Sequence, residues 1–297
     1  MRVFVTGATG FVGSAIVQEL INNGHKVIGL ARSEKAAKFL IEVGAEVHKG
    51  DLEDLDSLRR GAALADAVIH TGFNHDFSKF KENCEKDKNA IEALSSALAG
   101  SDRQLIITSA IGILPKGQIV TEETLPISGP NANPRVASEE AAASALARGV
   151  KVSVVRLPPS VHGVGDHGFV SNLICIARTN GIAAFVDKGD NTWPAVHRLD
   201  AAHLFRLVLE KGVSGVYHAV AEEGVPFREI ANVIGCRLNM PVVSKTLDEA
   251  NNYFTWFTHF AMMDIVASSD ITRKQLGWHP TQLGLMEDLN SSCYFEM

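Results

Sequence analysis

Apolar residues in the first half of the chain alternate between two kinds of spacing. Short runs that are apolar throughout are typical of strands buried in a parallel sheet, and longer stretches with apolar residues three or four positions apart are typical of covering helices. The strand pattern occurs at Arg2 to Thr6, Lys26 to Leu30, Ala45 to His48, Ala67 to His70, Gln104 to Thr108 and Lys151 to Arg156. The helix pattern occurs at Phe11 to Asn23, Glu34 to Val43, Leu55 to Gly61, Ser78 to Ala99 and Pro134 to Arg148. This alternation predicts an α/β fold with a doubly wound parallel sheet and helices on both faces.

The pattern changes after Pro158, and no linker rich in Pro, Ser or Gly marks the change. A loop rich in Gly and His, His162 to Gly168, comes first. The elements predicted beyond it are helices at Phe169 to Thr179, Ala201 to Glu210 and Phe227 to Ile234, and a strand at Gly215 to Ala219. We expect a sheet domain over residues 1–160 and a smaller, mostly helical substrate region over residues 161–297, of which about 195–220 returns to the sheet.

A glycine-rich loop connects the first predicted strand to the first helix. Glycines allow a tight turn and a close approach of the backbone to a diphosphate, and the helix N-terminus offers free N–H groups and the positive end of its dipole. Glycines at this spacing also recur by chance, as a structural turn without a ligand, but their position in the first βαβ unit predicts a Rossmann-type dinucleotide site. The residues expected to hold the cofactor here are Thr6, Gly7, Thr9, Gly10, Phe11, Val12 and Gly13.

The end of the second strand bears on the choice between NAD and NADP. An acidic residue at this point holds the ribose 2′-hydroxyl, whereas a basic residue accommodates a 2′-phosphate. The strand ends without a carboxylate, at Arg32 and Ser33, and Lys35 is close behind. Because Arg can stack on adenine and bind phosphate, we expect NADP(H), with NAD(H) as the alternative in which Arg32 is a solvated surface residue.

Further motifs carry a family resemblance. The glycine loop, Gly50-Asp51-Leu52 after the third strand and His70-Thr71-Gly72 after the fourth resemble the extended and atypical short-chain dehydrogenases/reductases, also called the NAD-dependent epimerase/dehydratase family. The resemblance covers nearly the whole chain, including Arg156 to Gly163 and Trp193 to Asp200. In particular, the chain resembles a subgroup of aldehyde or ketone reductases. It implies further cofactor contacts, to adenine, to the middle of the cofactor and to the nicotinamide, by Asp51, Leu52, Thr71, Gly72, Phe73, Pro158, Ser160 and Val161.

The chain departs from the catalytic signature of that family, a Tyr followed four residues later by a Lys. None of its tyrosines, at 217, 253 and 294, has a Lys at that spacing. By register the signature falls at Asn133 to Glu139, where Arg135 replaces the Tyr and Glu139 the Lys. Asn133 as N-cap and Pro134 as the first helical residue still predict a helix start. We expect the usual proton relay to be absent, a loss worth roughly 10²- to 10⁴-fold in rate unless another group replaces it.

Three positions are candidates for handling the substrate oxygen. Thr108 and Ser109 end the fifth strand, where the family places a hydroxyl that binds the substrate oxygen; a capping role is the alternative. Arg135 can stabilise a negative oxygen without releasing a proton, or can pair with Glu139 on an exposed helix face. His162 can exchange a proton near neutral pH, or can pack in a turn.

The second half of the chain offers candidate substrate contacts. Asp166 and His167 lie in the Gly-rich loop, and Trp193 can cover the nicotinamide or the substrate. The His and Asp residues of the loop also invite a metal site, but glycines make a poor rigid cage and we expect no metal. We expect His197 to pin the second region to the sheet. An aromatic cluster, either substrate wall or core, comprises Tyr253, Phe254, Trp256, Phe257, His259 and Phe260.

Charge and composition exclude other classes. A net charge of -6 argues against general nucleic-acid or membrane-surface binding, and apolar runs such as Val150 to Leu157 are too short to span a bilayer. The chain starts with a strand pattern rather than a secretory signal, so we expect a cytoplasmic protein with a small-molecule substrate. A homodimer through the helices at Ser78 to Ala99 and Pro134 to Arg148 stays open. The cysteines are far apart and predict reduced thiols: Cys84, Cys175, Cys236 and Cys293.

The sequence therefore predicts an NADP(H)-dependent oxidoreductase that reduces a small or medium carbonyl compound, an aldehyde or a ketone, without the usual Tyr/Lys relay. Fold and cofactor follow from the residues, whereas the carbonyl substrate follows only from the resemblance, because one fold hosts many chemistries. Two alternatives stay open. One is a non-catalytic NADP(H)-binding redox sensor or regulator, and the other is a reductase of an activated C=C or C=N bond.

Overall fold

The computed structural model describes residues 1–129, 132–291 and 294–295. Its central feature is a parallel sheet of seven strands in the order β11-β7-β5-β4-β1-β2-β3. These strands are β1 (Arg2–Thr6), β2 (Lys26–Ala31), β3 (Glu46–Lys49), β4 (Ala67–His70), β5 (Gln104–Ala110), β7 (Lys151–Leu157) and β11 (Gly215–His218). The order reverses direction at β1 and β4, so the sheet is doubly wound, as predicted, and a crevice opens at the carboxyl ends of these two strands.

Helices cover both faces of the sheet and bury a separate apolar cluster on each face. One face carries α1 (Phe11–Asn22), α2 (Glu34–Glu42) and α7 (Arg198–Lys211). The other face carries α3 (Leu55–Ala63), α4 (Phe80–Leu98) and α5 (Val136–Ala147). The predicted elements of this half are confirmed to within a few residues, because strands that are apolar throughout and amphipathic helices are the clearest signals in a sequence.

The start of α5 differs from the prediction. The helix begins at Val136 with Arg135 as N-cap, two residues later than the predicted Pro134. The side-chain oxygen of Asn133 accepts the N–H of Arg135 at 3.0 Å, and i to i+3 bonds such as Val136 N–H to the Asn133 carbonyl at 2.9 Å form a tight turn. Asn133 therefore caps this turn and not the helix, which moves the side chain of Arg135 to the N-terminal edge of α5.

The second half contains more β-structure than the predicted, mostly helical region. Three small sheets accompany its helices. Two of these sheets pair β9 (Ala183–Val186) with β13 (Val242–Lys245), and β10 (Thr192–His197) with β8 (Ser160–His162) and β12 (Glu222–Pro226). The third pairs β14 (Val266–Ala267) with β6 (Ile119–Val120), which lies in the first half between β5 and α5. The helices are α6 (Phe169–Asn180), α8 (Phe227–Leu238), α9 (Leu247–Phe254), α10 (Thr258–Ala261), α11 (Asp270–Leu276) and α12 (Leu285–Leu289). Strands this short carry too little periodicity to be recognised in a sequence.

Two connections join the halves. Helix α7 packs against α1, and β11 then adds the outermost strand beside β7. Within the described residues, no helix is long and apolar enough to cross a bilayer. Cys84 is buried, Cys175 and Cys236 are exposed, and all three are free thiols, whereas Cys293 lies outside the described residues.

Candidate active site

The glycine loop packs so closely that only glycine fits at two of its positions. Gly7 has a φ of +67°, and a Cβ there would lie 2.7 Å from the backbone nitrogen of Gly72. A Cβ at Gly13 would collide with the carbonyl oxygen of Gly7. Thr9 and Gly10, in contrast, are exposed at the outer side of the turn. The loop thus presents bare backbone to the crevice, which is the surface that a diphosphate requires.

The N-terminus of α1 faces the same crevice. Gly10 is the N-cap and has no capping side chain, and the first intrahelical bond joins the Ser14 N–H to the Gly10 carbonyl at 2.9 Å. The N–H groups of the residues between them have no acceptor within the helix, and the helix dipole makes this end positive. The predicted cofactor residues of this segment form the end of β1, the turn and the first turn of α1: Thr6, Gly7, Thr9, Gly10, Phe11, Val12 and Gly13.

The edge beyond β2 lies open to solvent. Arg32, Ser33 and Lys35 are all exposed there. The Ser33 hydroxyl accepts the Ala36 N–H at 3.2 Å and caps α2, but its own proton stays free to donate. Their contact with the ribose of a cofactor stays a prediction.

The loop after β3 lies against the loop after β4. A Cβ at Gly72 would lie 2.8 Å from Cδ2 of Leu52, so the Leu52 side chain covers the backbone of Gly72. Asp51 closes its own turn by accepting the Glu53 N–H at 3.0 Å. The loop that the resemblance assigns to adenine thus lies next to the loop that it assigns to the middle of the cofactor.

Asp87 of α4 is the centre of a buried polar network that the sequence analysis did not identify. Its carboxylate accepts Nε2 of His70 at 3.1 Å, the hydroxyl of Ser138 at 2.6 Å and a short bond from Nη1 of Arg135. Burial alone would raise the pKa of Asp87, but the charge of Arg135 and the bonds from His70 and Ser138 hold that pKa at about 2. Asp87 is therefore a buried anion with a full set of donors. The available signal was an acidic residue within the apolar face of a predicted helix, three positions after Cys84.

The same network reaches the glycine loop. Nδ1 of His70 lies 2.7 Å from Oγ1 of Thr6, which also accepts the Gly72 N–H at 3.3 Å. Because the carboxylate of Asp87 can only accept, the proton of a neutral His70 lies on Nε2, and Nδ1 accepts the Thr6 hydroxyl. A continuous chain of hydrogen bonds thus joins the cofactor loop to Arg135.

Arg135 is fixed on all sides at the N-terminal edge of α5. Besides the bonds to Asp87 and Ser138, Nη2 donates to the Thr108 carbonyl at 2.9 Å, and the guanidinium lies 4.2 Å from the ring centroid of Phe73. The alternative pair of Arg135 with Glu139 on an exposed face is wrong, because Arg135 is buried beside Asp87. Glu139 instead binds Arg156 through two bonds of 2.8 Å.

Hydroxyl groups at the end of β5 and the start of β8 complete this side of the crevice. Oγ1 of Thr108 donates to the His70 carbonyl at 3.0 Å and keeps its lone pairs free. The hydroxyls of Ser109 and Ser160 are buried, and neither has a hydrogen-bond partner among the described residues. Since buried polar groups are normally bonded, these orphaned hydroxyls fit a site that receives a polar ligand.

Residues 3–221 match the sequence profile of the NAD dependent epimerase/dehydratase family. The chain belongs to this family. An uncharacterized protein of Schizosaccharomyces pombe is 47% identical over 99% of this chain and 100% of its own length. The sterol-4-alpha-carboxylate 3-dehydrogenase of Dictyostelium discoideum is 29% identical over 77% of this chain and 74% of its own. The 2-alkyl-3-oxoalkanoate reductase of Stenotrophomonas maltophilia is 27% identical over 85% and 80%.

Solved structures show the same fold. The dTDP-glucose 4,6-dehydratase of Streptomyces venezuelae, determined with NAD bound, superposes with a TM-score of 0.77 over 97% of this chain and 96% of that one, at 19% identity. As a member of the epimerase/dehydratase family, the chain is an enzyme of the oxidoreductase or epimerase type that uses NAD or NADP. The glycine loop and the unpaired hydroxyls of Ser109 and Ser160 fit such a cofactor.

The structure contradicts the role of proton donor that was expected for His162, because this residue is buried. The side chain is fully buried, and Nδ1 lies 2.8 Å from the carboxylate of Asp288. In the neutral ring the single proton therefore lies on Nδ1, and Nε2 is buried without a partner among the described residues. His162 has neither a solvent path nor a free proton, so it is not placed to deliver one to a substrate.

Asp166 and Trp193 are corrected for the same reason. Asp166 is buried and binds the Tyr294 hydroxyl at 3.2 Å and the Gly168 N–H at 2.6 Å, so it shapes its loop and does not contact a substrate. Trp193 is fully buried in the core, where its Nε1 donates to the Phe260 carbonyl at 3.2 Å. A ring without exposed surface cannot cover a ligand.

His167, in contrast, is exposed at the mouth of the crevice, with its ring 5.7 Å from that of Phe11. Its contact with a substrate stays a prediction. His197 caps α7 by accepting the Leu199 N–H at 3.2 Å, which is a local structural role. That it pins the second region to the sheet stays a prediction.

The aromatic cluster near residue 255 divides into two parts. Tyr253, Phe254 and Phe257 are buried in the core of the second half. Trp256 is 52% exposed and stacks on Phe77, which follows β4, at 5.5 Å between ring centroids. Only this second part can line a substrate space, and it also draws the loop after β4 against the second half.

Proposed function

We propose that this enzyme reduces a small or medium-sized aldehyde or ketone with NADP(H), and that Arg135 holds the substrate oxygen in place of the missing Tyr. The observation that carries the proposal is the position of Arg135 at the edge of the crevice. Asp87 and the Thr108 carbonyl fix its guanidinium through Nη1 and Nη2. Three of its five N–H groups are used by Asp87, Ser138 and Thr108. The Nε–H and the second Nη2 hydrogen have no acceptor among the described residues and are left for a ligand.

The chemistry divides between the cofactor and the chain. When bound, the nicotinamide supplies a hydride. The guanidinium of Arg135 stabilises the negative charge that grows on the substrate oxygen, and the unpaired hydroxyl of Ser109 donates to that oxygen. Thr108, whose own proton goes to the His70 carbonyl, uses its lone pairs to hold a water molecule. Because Arg keeps its protons, a water molecule at the open side of Thr108 delivers the proton that completes the alcohol.

The surroundings of Arg135 favour an uncharged substrate. Its charge is balanced by Asp87, so this pair offers no net attraction to an anion. The neighbouring surface is aromatic, with Phe73 against the guanidinium and Phe77 against Trp256. The name of the relative 2-alkyl-3-oxoalkanoate reductase supports a carbonyl group as the part that reacts.

The preference for NADP(H) rests on the edge beyond β2. Two exposed cations and one hydroxyl, Arg32, Lys35 and Ser33, lie there. The acidic residue among them, Glu34, is paired with Lys49 at 2.6 Å. A 2′-phosphate gains charge-assisted bonds from such a group of donors.

The test is a substrate panel with two variants of Arg135. We expect NADPH oxidation with aldehydes or ketones, and a kcat lower by about 10²- to 10³-fold in Arg135→Met, the usual loss for one donor to a developing oxyanion. Arg135→Lys keeps the charge for Asp87 and separates folding from catalysis. Arg148→Met, at the exposed end of α5, is the matched control and should keep the wild-type kcat.

Other outcomes overturn the proposal in distinct ways. Turnover of enones or imines alone identifies a C=C or C=N reductase. Tight NADPH binding without turnover of any acceptor identifies a redox sensor. An unchanged kcat in Arg135→Met would show that Arg135 takes no part in the reaction.

A further inference from the structure

Arg198, the first residue of α7, reaches across to the N-terminus of α1. Its guanidinium carbon lies 4.8 Å from the ring centroid of Phe11, and its Nη2 lies 3.4 Å from Oγ of Ser14. Phe11 and Ser14 belong to the first turn of α1, directly behind the glycine loop. A cation from the second half of the chain therefore lies beside the end of α1 that is already positive.

Arg198 has no anionic partner within the part of the chain that the structure describes. None of the ion pairs among the described residues includes Arg198, and it donates only to the Val164 carbonyl at 2.9 Å and to Ser14. Arg206 of the same helix shows the contrast, since it binds Glu19 of α1 at 2.7 Å and Glu210 at 2.8 Å. Burial lowers the pKa of Arg198, whereas the two carboxylates raise that of Arg206.

The loop His162 to Gly168 holds Arg198 in this place. A Cβ at Gly163, where φ is +134°, would lie 3.0 Å from Cγ of Arg198, so glycine leaves the room for its side chain. The Tyr294 hydroxyl accepts the Gly163 N–H at 2.9 Å and ties the loop down from the other side. The glycines and Asp166 thus support the carbonyl that orients Arg198.

We propose that Arg198 binds the diphosphate of the nicotinamide cofactor, opposite the backbone amides of the glycine loop. A half-buried cation at a positive helix end is unfavourable without an anion, and a diphosphate supplies the missing negative charge to both. The proposal needs the cofactor that the family uses and does not depend on the carbonyl substrate.

Calorimetry on the full chain tests it without turnover, with NADPH and ADP-ribose as diphosphate ligands and adenosine as the ligand that lacks a diphosphate. We expect Arg198→Ala to raise the Kd for NADPH and ADP-ribose by about 10- to 100-fold, as for loss of a charge-assisted bond. The Kd for adenosine, from displacement of NADPH, should change by less than about twofold, and Arg198→Lys should recover part of the loss.

Arg206→Ala is the control, because it removes a cation from the same helix that already has partners, and its Kd values should match the wild type. If Arg198 had only a structural role, Arg198→Ala would weaken the binding of adenosine and of ADP-ribose equally, and Arg198→Lys would not recover it. That result, or an unchanged Kd for ADP-ribose in Arg198→Ala, overturns the proposal. A lack of turnover with aldehydes and ketones would contradict only the proposed carbonyl reductase activity and not the role of Arg198.

Discussion

The two sides of the crevice are built in different ways. The glycine loop is one contiguous stretch of backbone, in which Gly7 and Gly13 matter because they lack a side chain. The Arg135 side is assembled from side chains of separate elements, centred on the buried carboxylate of Asp87. Backbone cradles tolerate change in their surroundings, whereas a buried charge network fails when one member is removed.

The two sides are also joined at one point. His70 binds Thr6 at the start of the glycine loop and Asp87 beneath Arg135. Substitutions on either side therefore show whether cofactor binding and catalysis can be altered separately, and the expected effects differ in size.

The largest effect is expected from Asp87→Asn. This change leaves the charge of Arg135 buried without its counter-charge, and the free energy of unfolding should fall by about 3 to 5 kcal/mol. Denaturant unfolding of the variant and the wild type measures it. The matched control is Lys49→Met, which removes the ion pair of Lys49 with Glu34 at 2.6 Å. Because these two side chains are 71% and 85% exposed, the free energy of unfolding should change by less than about 1 kcal/mol.

The pH dependence of unfolding sharpens the same test. The pKa of Asp87 is lowered from 3.8 to about 2 in the fold, so its stabilisation is complete above about pH 4 and is lost as the pH falls towards 2. Asp87→Asn should lack this part of the acid transition. An equally steep acid transition in the variant would mean that the carboxylate is not held as a buried anion.

The next effect concerns the backbone side. Gly7→Ala and Gly100→Ala both place a Cβ at positive φ, +67° and +72°, with a strain of about 1 to 2 kcal/mol each. Only the Gly7 variant also forces that atom to 2.7 Å from Gly72, whereas nothing lies within 4 Å at Gly100. Gly7→Ala should weaken NADPH binding by at least about 100-fold. Equal Kd values for the two variants would contradict a loop shaped for the cofactor.

The smallest effect is expected at the exposed edge. Arg32→Ala should raise the Kd for NADPH by about tenfold and leave that for NADH within about twofold, because only NADPH carries the 2′-phosphate. Binding titrations of both nucleotides measure it. Equal affinities of the wild-type protein for NADPH and NADH would refute the preference for NADP(H).

Sequence reasoning succeeded where the determinant is local. The glycine loop and the strands around it follow from residues close together in the chain, and residues 1–160 were predictable to within a few positions. Asp87, His70 and Ser138 were missed, because only the folded sheet brings their elements together. His162, Asp166 and Trp193 were placed by their chemistry alone, and their burial could not be deduced before the short strands of the second half were known.

The two ion pairs at the start of α5 limit which side chains positions 135 and 139 can accept. Arg135 faces Asp87, and Glu139 faces Arg156. A Tyr at position 135 would leave the buried carboxylate of Asp87 without a counter-charge, and a Lys at position 139 would place a second cation beside Arg156. Introducing both therefore requires replacement of Asp87 and Arg156 as well, and the effects of these four substitutions on stability would not be additive.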